Sequence, residues 1–299
     1  MILLTGASGY IGSAIYASLK QQGIPVLTAG RRSCDRFLDL SECQCLSEVF
    51  SDISVVIHCA GIAHNKGDAS AYQVVNVEAC CALASAAIAA GVKQFIFLST
   101  LNVVPASTLD PGVRATALPK PVSLYAASKW QAEIALANLM GTSQSELVIL
   151  RPALVYDRAL TANLATLKRW QRLLPISLPT TGHRSLVARP DLVALIVSLL
   201  WRSGERREVI EQPLAVTDGQ CYSAFRIGRA VANKTTMTLP APLWRGLLMC
   251  LAILPLRQAQ ALASSLGGRY WCGETAQPFN SPVWSLERVL KSTAAESAH

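Results

Sequence analysis

Short, nearly continuous apolar runs recur through the first half of the chain, at residues 2–4, 26–29, 55–57, 95–98 and 147–150. Between them lie stretches with helical patterning: 11–22 ending before Gly23, 40–50 after an acidic cap region, an Ala-rich 71–90 stopping at Gly91, and 124–140. This alternation predicts parallel strands joined by right-handed helical crossovers, hence an α/β, doubly wound sheet. Strands apolar on every residue are covered on both faces. After Arg151-Pro152 the pattern loosens into helix-like segments at 162–172, 192–201, 223–232 and 243–254, with one strand-like run near 209–216. Residues 1–155 are therefore expected to form the main unit, and 156–299 a smaller C-terminal lobe with some segments returning to the main sheet. No internal repeat is visible, and residues 292–299 look frayed.

A chain of 299 residues, 51% hydrophobic and 15% charged, can bury a large core. The formal charge of +8 suits an anionic partner, and the scatter of basic residues favours a small molecule over nucleic acid or a membrane surface. The nine cysteines are odd in number and show no C-x-x-C spacing, so structural disulfides are not expected and a reducing cytoplasm fits. The four histidines are dispersed, and no metal is expected. The chain opens directly on a strand, without the charged start of a signal peptide. The apolar run 246–256, at eleven residues, is too short to span a bilayer. A packed helix is the favoured reading there, over one lying on a membrane or in a subunit interface.

Two strings carry candidate chemistry. Thr5-Gly6-Ala7-Ser8-Gly9-Tyr10-Ile11-Gly12 lies between a strand and a helix, where glycines let backbone N–H groups approach a pyrophosphate at the positive end of the helix dipole. Tyr125 and Lys129, four positions apart on a helical segment, share one face about one turn apart. Either string alone is commonplace. Joined by Val56-Ile57-His58-Cys59-Ala60-Gly61, they resemble the extended short-chain dehydrogenase/reductases, and within these the epimerase/dehydratase branch that acts on nucleotide sugars. The likeness runs from residue 1 to about residue 290.

The resemblance implies a Rossmann-type sheet with a smaller C-terminal substrate-binding lobe. It makes Gly6, Gly9 and Gly12 the cofactor cradle, lined by Ser8, Tyr10 and Ile11, with Ala60 and Gly61 where the cofactor backbone passes. Asp39 matches an Asp that contacts adenine, although it equally suits a helix N-cap. NAD-preferring relatives carry an acidic residue where this chain has Gly30 followed by Arg31 and Arg32. Two guanidiniums suit a 2′-phosphate, so NADP is favoured over NAD, with a solvated basic turn as the alternative. Thr100, 25 residues before Tyr125, falls at the catalytic hydroxyl, with Ser99 as a neighbour reaching toward the cofactor. By the same resemblance Tyr125 moves a proton, its pKa lowered by Lys129 together with the oxidised nicotinamide cation, Lys129 also grips the nicotinamide ribose, and Thr100 steadies the substrate oxygen.

In the second half, Asn163 and Arg184 match contacts to a nucleoside diphosphate, with a capping Asn and a surface Arg as alternatives, and Asp191 reads as the cap of the next helix. This chain departs from relatives at Ala188, where they carry Tyr or His, and at Asp157-Arg158, where they carry Gly-Pro. The Pro-rich loop 102–123 borders the sugar in relatives. The implied activity is hydride chemistry at C4 of a nucleotide-activated hexose, foremost reduction of a 4-keto sugar for bacterial surface polysaccharides. Epimerisation of a UDP-hexose at C4 is the alternative. Dehydration is disfavoured because Leu101 and Asn102 stand where dehydratase relatives carry acidic residues, and a non-catalytic dinucleotide-binding scaffold is the remote reading. A homodimer through helices 71–90 and 124–140 and a cytoplasmic location complete the expectation.

Overall fold

The computed structural model describes residues 1–42, 47–63, 67–104, 121, 123–160, 162–173, 176–200, 213–232, 237–267 and 284–291. The strands are β1 (Ile2–Thr5), β2 (Val26–Gly30), β3 (Arg36–Phe37), β4 (Val55–His58), β5 (Gln94–Leu98), β6 (Glu146–Pro152), β7 (Leu154–Tyr156), β8 (Arg184–Ala188), β9 (Leu214–Val216) and β10 (Cys221–Tyr222). The helices are α1 (Tyr10–Gln21), α2 (Ala69–Tyr72), α3 (Ala79–Ala89), α4 (Leu124–Met140), α5 (Ala162–Leu173), α6 (Arg189–Leu200), α7 (Ala224–Ala232), α8 (Ala241–Ile253), α9 (Arg257–Gly267) and α10 (Leu286–Lys291).

Seven strands form a parallel sheet in the order β3-β2-β1-β4-β5-β6-β9, and β10-β8-β7 form a small second sheet. Because the main order reverses between β1 and β4, the loops leaving these two strands splay apart and open a crevice. Register sets Thr5 opposite His58, and His58 opposite Phe97, so β1, β4 and β5 end at one level. Successive strand residues face opposite sides of the sheet. Leu4, Ile57 and Leu150 meet Ile15 and Leu19 of α1 and Ile196 of α6, whereas Leu3, Val56 and Ile149 meet Leu83 of α3 and Leu136 of α4. A third core joins Tyr156, Leu186 and Tyr222 of the small sheet to Ile227, Trp244 and Leu286.

Several elements differ from the sequence expectation. The helix expected over 40–50 is a 3-10 turn at Ser47–Phe50, with 43–46 outside the described residues. The Asp39 carboxylate takes the Ser41 N–H at 2.9 Å and the Ser41 hydroxyl at 2.6 Å, which makes a turn at 39–42 instead. The 71–90 helix begins at Ala69 and is interrupted by a π-helical turn at Gln73–Glu78. Of the 209–216 strand only β9 is described, and most of the loop 102–123, Trp201 and residues 292–299 lie outside the described residues. Cys221 is disulfide-bonded, which corrects the expectation of no structural disulfide; its partner lies outside the described residues, and Cys34, Cys59, Cys80, Cys81 and Cys250 are free thiols. One pair leaves an odd count odd, so parity was no guide. Among the described residues one helical stretch, Ala69–Ala89, is apolar and long enough to cross a membrane, and it packs on the sheet through Cys80, Leu83, Ala84 and Ala87.

The helix α4 is fastened to the sheet by charge as well as by packing. Arg151 on β6 sends Nε to both Glu133 oxygens at 3.1 and 3.2 Å and Nη2 to Oε2, and the Ser99 hydroxyl donates to Glu133 Oε1. Glu133 and Arg151 are 4% and 3% exposed, so removing one partner strands a buried charge. Arg151→Met is expected to lower unfolding stability by about 3–5 kcal/mol, and the double variant with Glu133→Leu to regain most of it. Urea melts with an unchanged m-value would measure both.

Candidate active site

The turn between β1 and α1 needs glycine for lack of space. Gly6 sits at φ +73, and a Cβ there would meet the Ala60 nitrogen at 2.7 Å; a Cβ on Gly12 would fall 2.1 Å from the Gly6 carbonyl oxygen. Gly9 precedes the first turn of α1 with extended backbone and no side chain to cap it. The partial positive charge of the twelve-residue helix therefore faces the crevice; Ser8 is exposed before it, whereas Ile11 packs on the core. The loop after β4 closes the other wall: the Ala60 N–H donates to Thr5 Oγ1 at 3.3 Å, and Gly61 follows. A small-residue cradle at an uncapped helix start fits a dinucleotide pyrophosphate.

Lys129 occupies the floor. It is 4% exposed, and its Nζ donates to the Leu98 carbonyl at 3.0 Å and stands 4.7 Å from the centre of the Phe97 ring. A Cβ on Gly61 would be 3.6 Å from this ammonium, so the glycine leaves the amine within reach of the crevice. Burial holds the Lys129 pKa below the ordinary lysine range, with Cys80, Cys59 and Glu133 pulling the other way. One turn earlier on α4, Tyr125 is half-buried with its ring 6.1 Å from that of Tyr72. Without a bound cofactor its phenol is pushed up to about 12, first by burial and then by Tyr72. Thr100 ends β5 and caps the short turn Leu101–Val103, its Oγ1 accepting the Asn102 N–H at 3.3 Å. A hydroxyl that accepts in this way keeps its proton to donate.

Ser99 lies in the buried cluster with Glu133, its hydroxyl engaged there. Arg31 and Arg32 are exposed beyond β2, and Arg31 helps Ser41 hold the Asp39 carboxyl below the usual range. Arg184 is 3% exposed on β8, with Nε on the Gly182 carbonyl at 3.1 Å, so it is no surface arginine. Asp191 lies in the first turn of α6, at the helix start, and also accepts the Trp284 N–H at 3.1 Å, tying down the segment before α10. The Asn163 side chain lies outside the described residues.

A model of the NAD dependent epimerase/dehydratase family matches residues 2–207. The chain belongs to this family. It is 32% identical over 263 residues to a UDP-glucose 4-epimerase of Vibrio cholerae, covering 81% of this chain and 79% of that one. Among solved structures it resembles the Thermotoga maritima UDP-glucose 4-epimerase with UDP-glucose (TM-score 0.69, 19% identity, 97% and 96% of the two chains). It also resembles a short-chain dehydrogenase/reductase superfamily protein of Agrobacterium tumefaciens with bound NAD (TM-score 0.69, 20% identity, 100% and 96%). The fold is that of the extended short-chain dehydrogenase/reductases.

Within this epimerase/dehydratase scaffold, three contributors escaped the sequence reading. Asn76, 1% exposed in the π-helical turn, accepts the Ile62 N–H at 2.7 Å and donates to the Ile62 carbonyl and to Ser128 Oγ, which itself donates to the Tyr125 carbonyl. One amide thus joins the loop after Gly61 to the first turn of α4. Arg189 donates to the Tyr10 carbonyl at 3.1 Å, lies 4.7 Å from the Tyr10 ring centre, and pairs with Asp157. His58, paired with Thr5 Oγ1 at 2.8 Å, has its pKa pushed down to about 3 by burial and then by Lys129. The folded chain thus keeps a neutral imidazole where the unfolded chain gains a proton below the ordinary 6.5. Stability is expected to fall as pH drops from 6.5 toward 3, by about 1.4 kcal/mol per pH unit, and His58→Gln to flatten that slope. Urea melts at neutral and mildly acid pH would check it.

Proposed function

We propose that this chain performs NAD(P)-dependent hydride chemistry at C4 of a nucleotide-activated hexose, with residues 1–155 binding dinucleotide and 156–299 mainly binding substrate. The observation that carries the reading is the buried Lys129 ammonium beneath Gly61, one turn from Tyr125 and beside the strand end that presents Thr100. A bound nicotinamide supplies the hydride acceptor and donor. Gly6, Gly9 and Gly12 hold its pyrophosphate, and Lys129 meets the ribose hydroxyls. Thr100 donates a hydrogen bond to the sugar oxygen, and Tyr125 delivers or takes the proton there. Asn163 and Arg184 are the proposed diphosphate contacts.

Two reactions share these groups. The Vibrio cholerae and Thermotoga maritima relatives, named as UDP-glucose 4-epimerases, favour epimerisation. Arg31 and Arg32, placed for a 2′-phosphate, keep NADP in play beside NAD and favour the NADP-linked alternative, reduction of a 4-keto sugar. The relatives favour epimerisation more directly, and we place it first, with keto-sugar reduction second. A homodimer packed through α3 and α4 accompanies this reading.

Incubation with a UDP-hexose is expected to give its 4-epimer with no net change in the nicotinamide absorbance band, whereas a reductase consumes dinucleotide one for one with a 4-keto sugar. Turnover of neither substrate class would defeat the reading. Tyr125→Phe is expected to cut turnover at least about a hundredfold while cofactor affinity stays within about twofold. Residual activity above about a tenth of the parent would remove Tyr125 from the proton-transfer role.

A further inference from the structure

The hairpin of α8 and α9 does not behave like the packed element its sequence suggested. Of the thirteen residues of α8, Trp244 alone is buried, in the core of the C-terminal lobe. Leu243, Met249 and Ile253 are 59%, 66% and 78% exposed, and Leu254 and Leu256 continue the apolar surface around the turn into α9. A helix apolar on every side and exposed on most of them matches neither a core helix nor an ordinary surface helix. At about 20 Å it is also too short to cross a bilayer.

Charge identifies what covers it. Basic and acidic residues number ten each through residue 155, but 17 and 9 from residue 156 onward, so the formal charge of +8 belongs wholly to the second half. This corrects the impression of scatter. The sequence from Gly219 to Gly273 has six basic residues and no Asp or Glu; among the described side chains Arg245 is exposed on α8 and Arg229 on α7, while Arg226 pairs with Glu287. A second copy meeting this face would bring the Arg245 charges and two positively charged halves together, whereas a positively charged half with an apolar tip complements an anionic lipid surface. We propose that the α8–α9 hairpin seats the C-terminal lobe on an anionic membrane surface, with Leu243, Met249, Ile253 and Leu256 entering the boundary between headgroups and acyl chains.

The test is co-sedimentation of the full chain with vesicles of phosphatidylcholine plus phosphatidylglycerol, against phosphatidylcholine alone. The chain is expected to sediment with the anionic vesicles, and its binding to weaken about tenfold or more in high salt and in the Met249→Glu/Ile253→Glu variant. Both side chains are exposed, so the variant is expected to keep the thermal midpoint and the NAD affinity of the parent. Failure of the parent chain to bind anionic vesicles, or equal binding by the variant, would overturn the proposal. So would concentration-dependent self-association, lost in the variant and seen by sedimentation velocity without lipid, in a chain that ignores vesicles, which would make a second copy the occupant.

Discussion

Everything at the site hangs on where α4 lies against the sheet. The fork of Arg151 onto Glu133, with the Ser99 hydroxyl on the same carboxylate, ties this helix to the ends of β5 and β6. Apolar packing of Ala132, Leu136 and Met140 gives α4 a face to bury but would tolerate a small slide or roll. A planar guanidinium on a carboxylate does not, because its bonds are directional. One turn before Glu133 comes Lys129, and one turn before that Tyr125, so fixing the carboxylate fixes the register of the other two.

The electrostatics of the floor are a contest between burial and compensation. Taking an ammonium out of water is costly, and the Leu98 carbonyl, the Phe97 face and the nearby Glu133 offset only part of that cost, so the Lys129 pKa still falls. The same charge keeps protons off His58 and eases the burial penalty on Cys59 and Cys80, both still held near 12. A single buried cation thus shapes the protonation of three neighbours.

Much of this was legible in the residues, for physical reasons. Apolar runs such as 95–98 become central strands because a doubly covered sheet demands them, and Gly6 and Gly12 show in the sequence because no Cβ fits at either. Arg36–Phe37, Cys221–Tyr222 and Leu154–Tyr156 escaped because two or three residues carry no periodicity; tertiary pairing alone makes them strands. Asn76 was hidden by its setting, since an Ala-rich helical window conceals the π turn that swings its amide inward. Asp191 read as a cap because Asp near a helix start normally is one, and only the fold brings Trp284 to it. Arg189 was visible but mute, its partners Tyr10 and Asp157 lying far apart in sequence.

That last residue couples two parts of the molecule. Arg189 opens α6 directly after β8, in the small sheet's half of the protein, yet its guanidinium rests on the first residue of α1. A shift of β8 or α6 must drag this side chain across the aromatic ring at the mouth of the phosphate cradle or break its bond to the Tyr10 carbonyl. The contact therefore pins the start of α6 to the start of α1, two segments 179 residues apart along the chain.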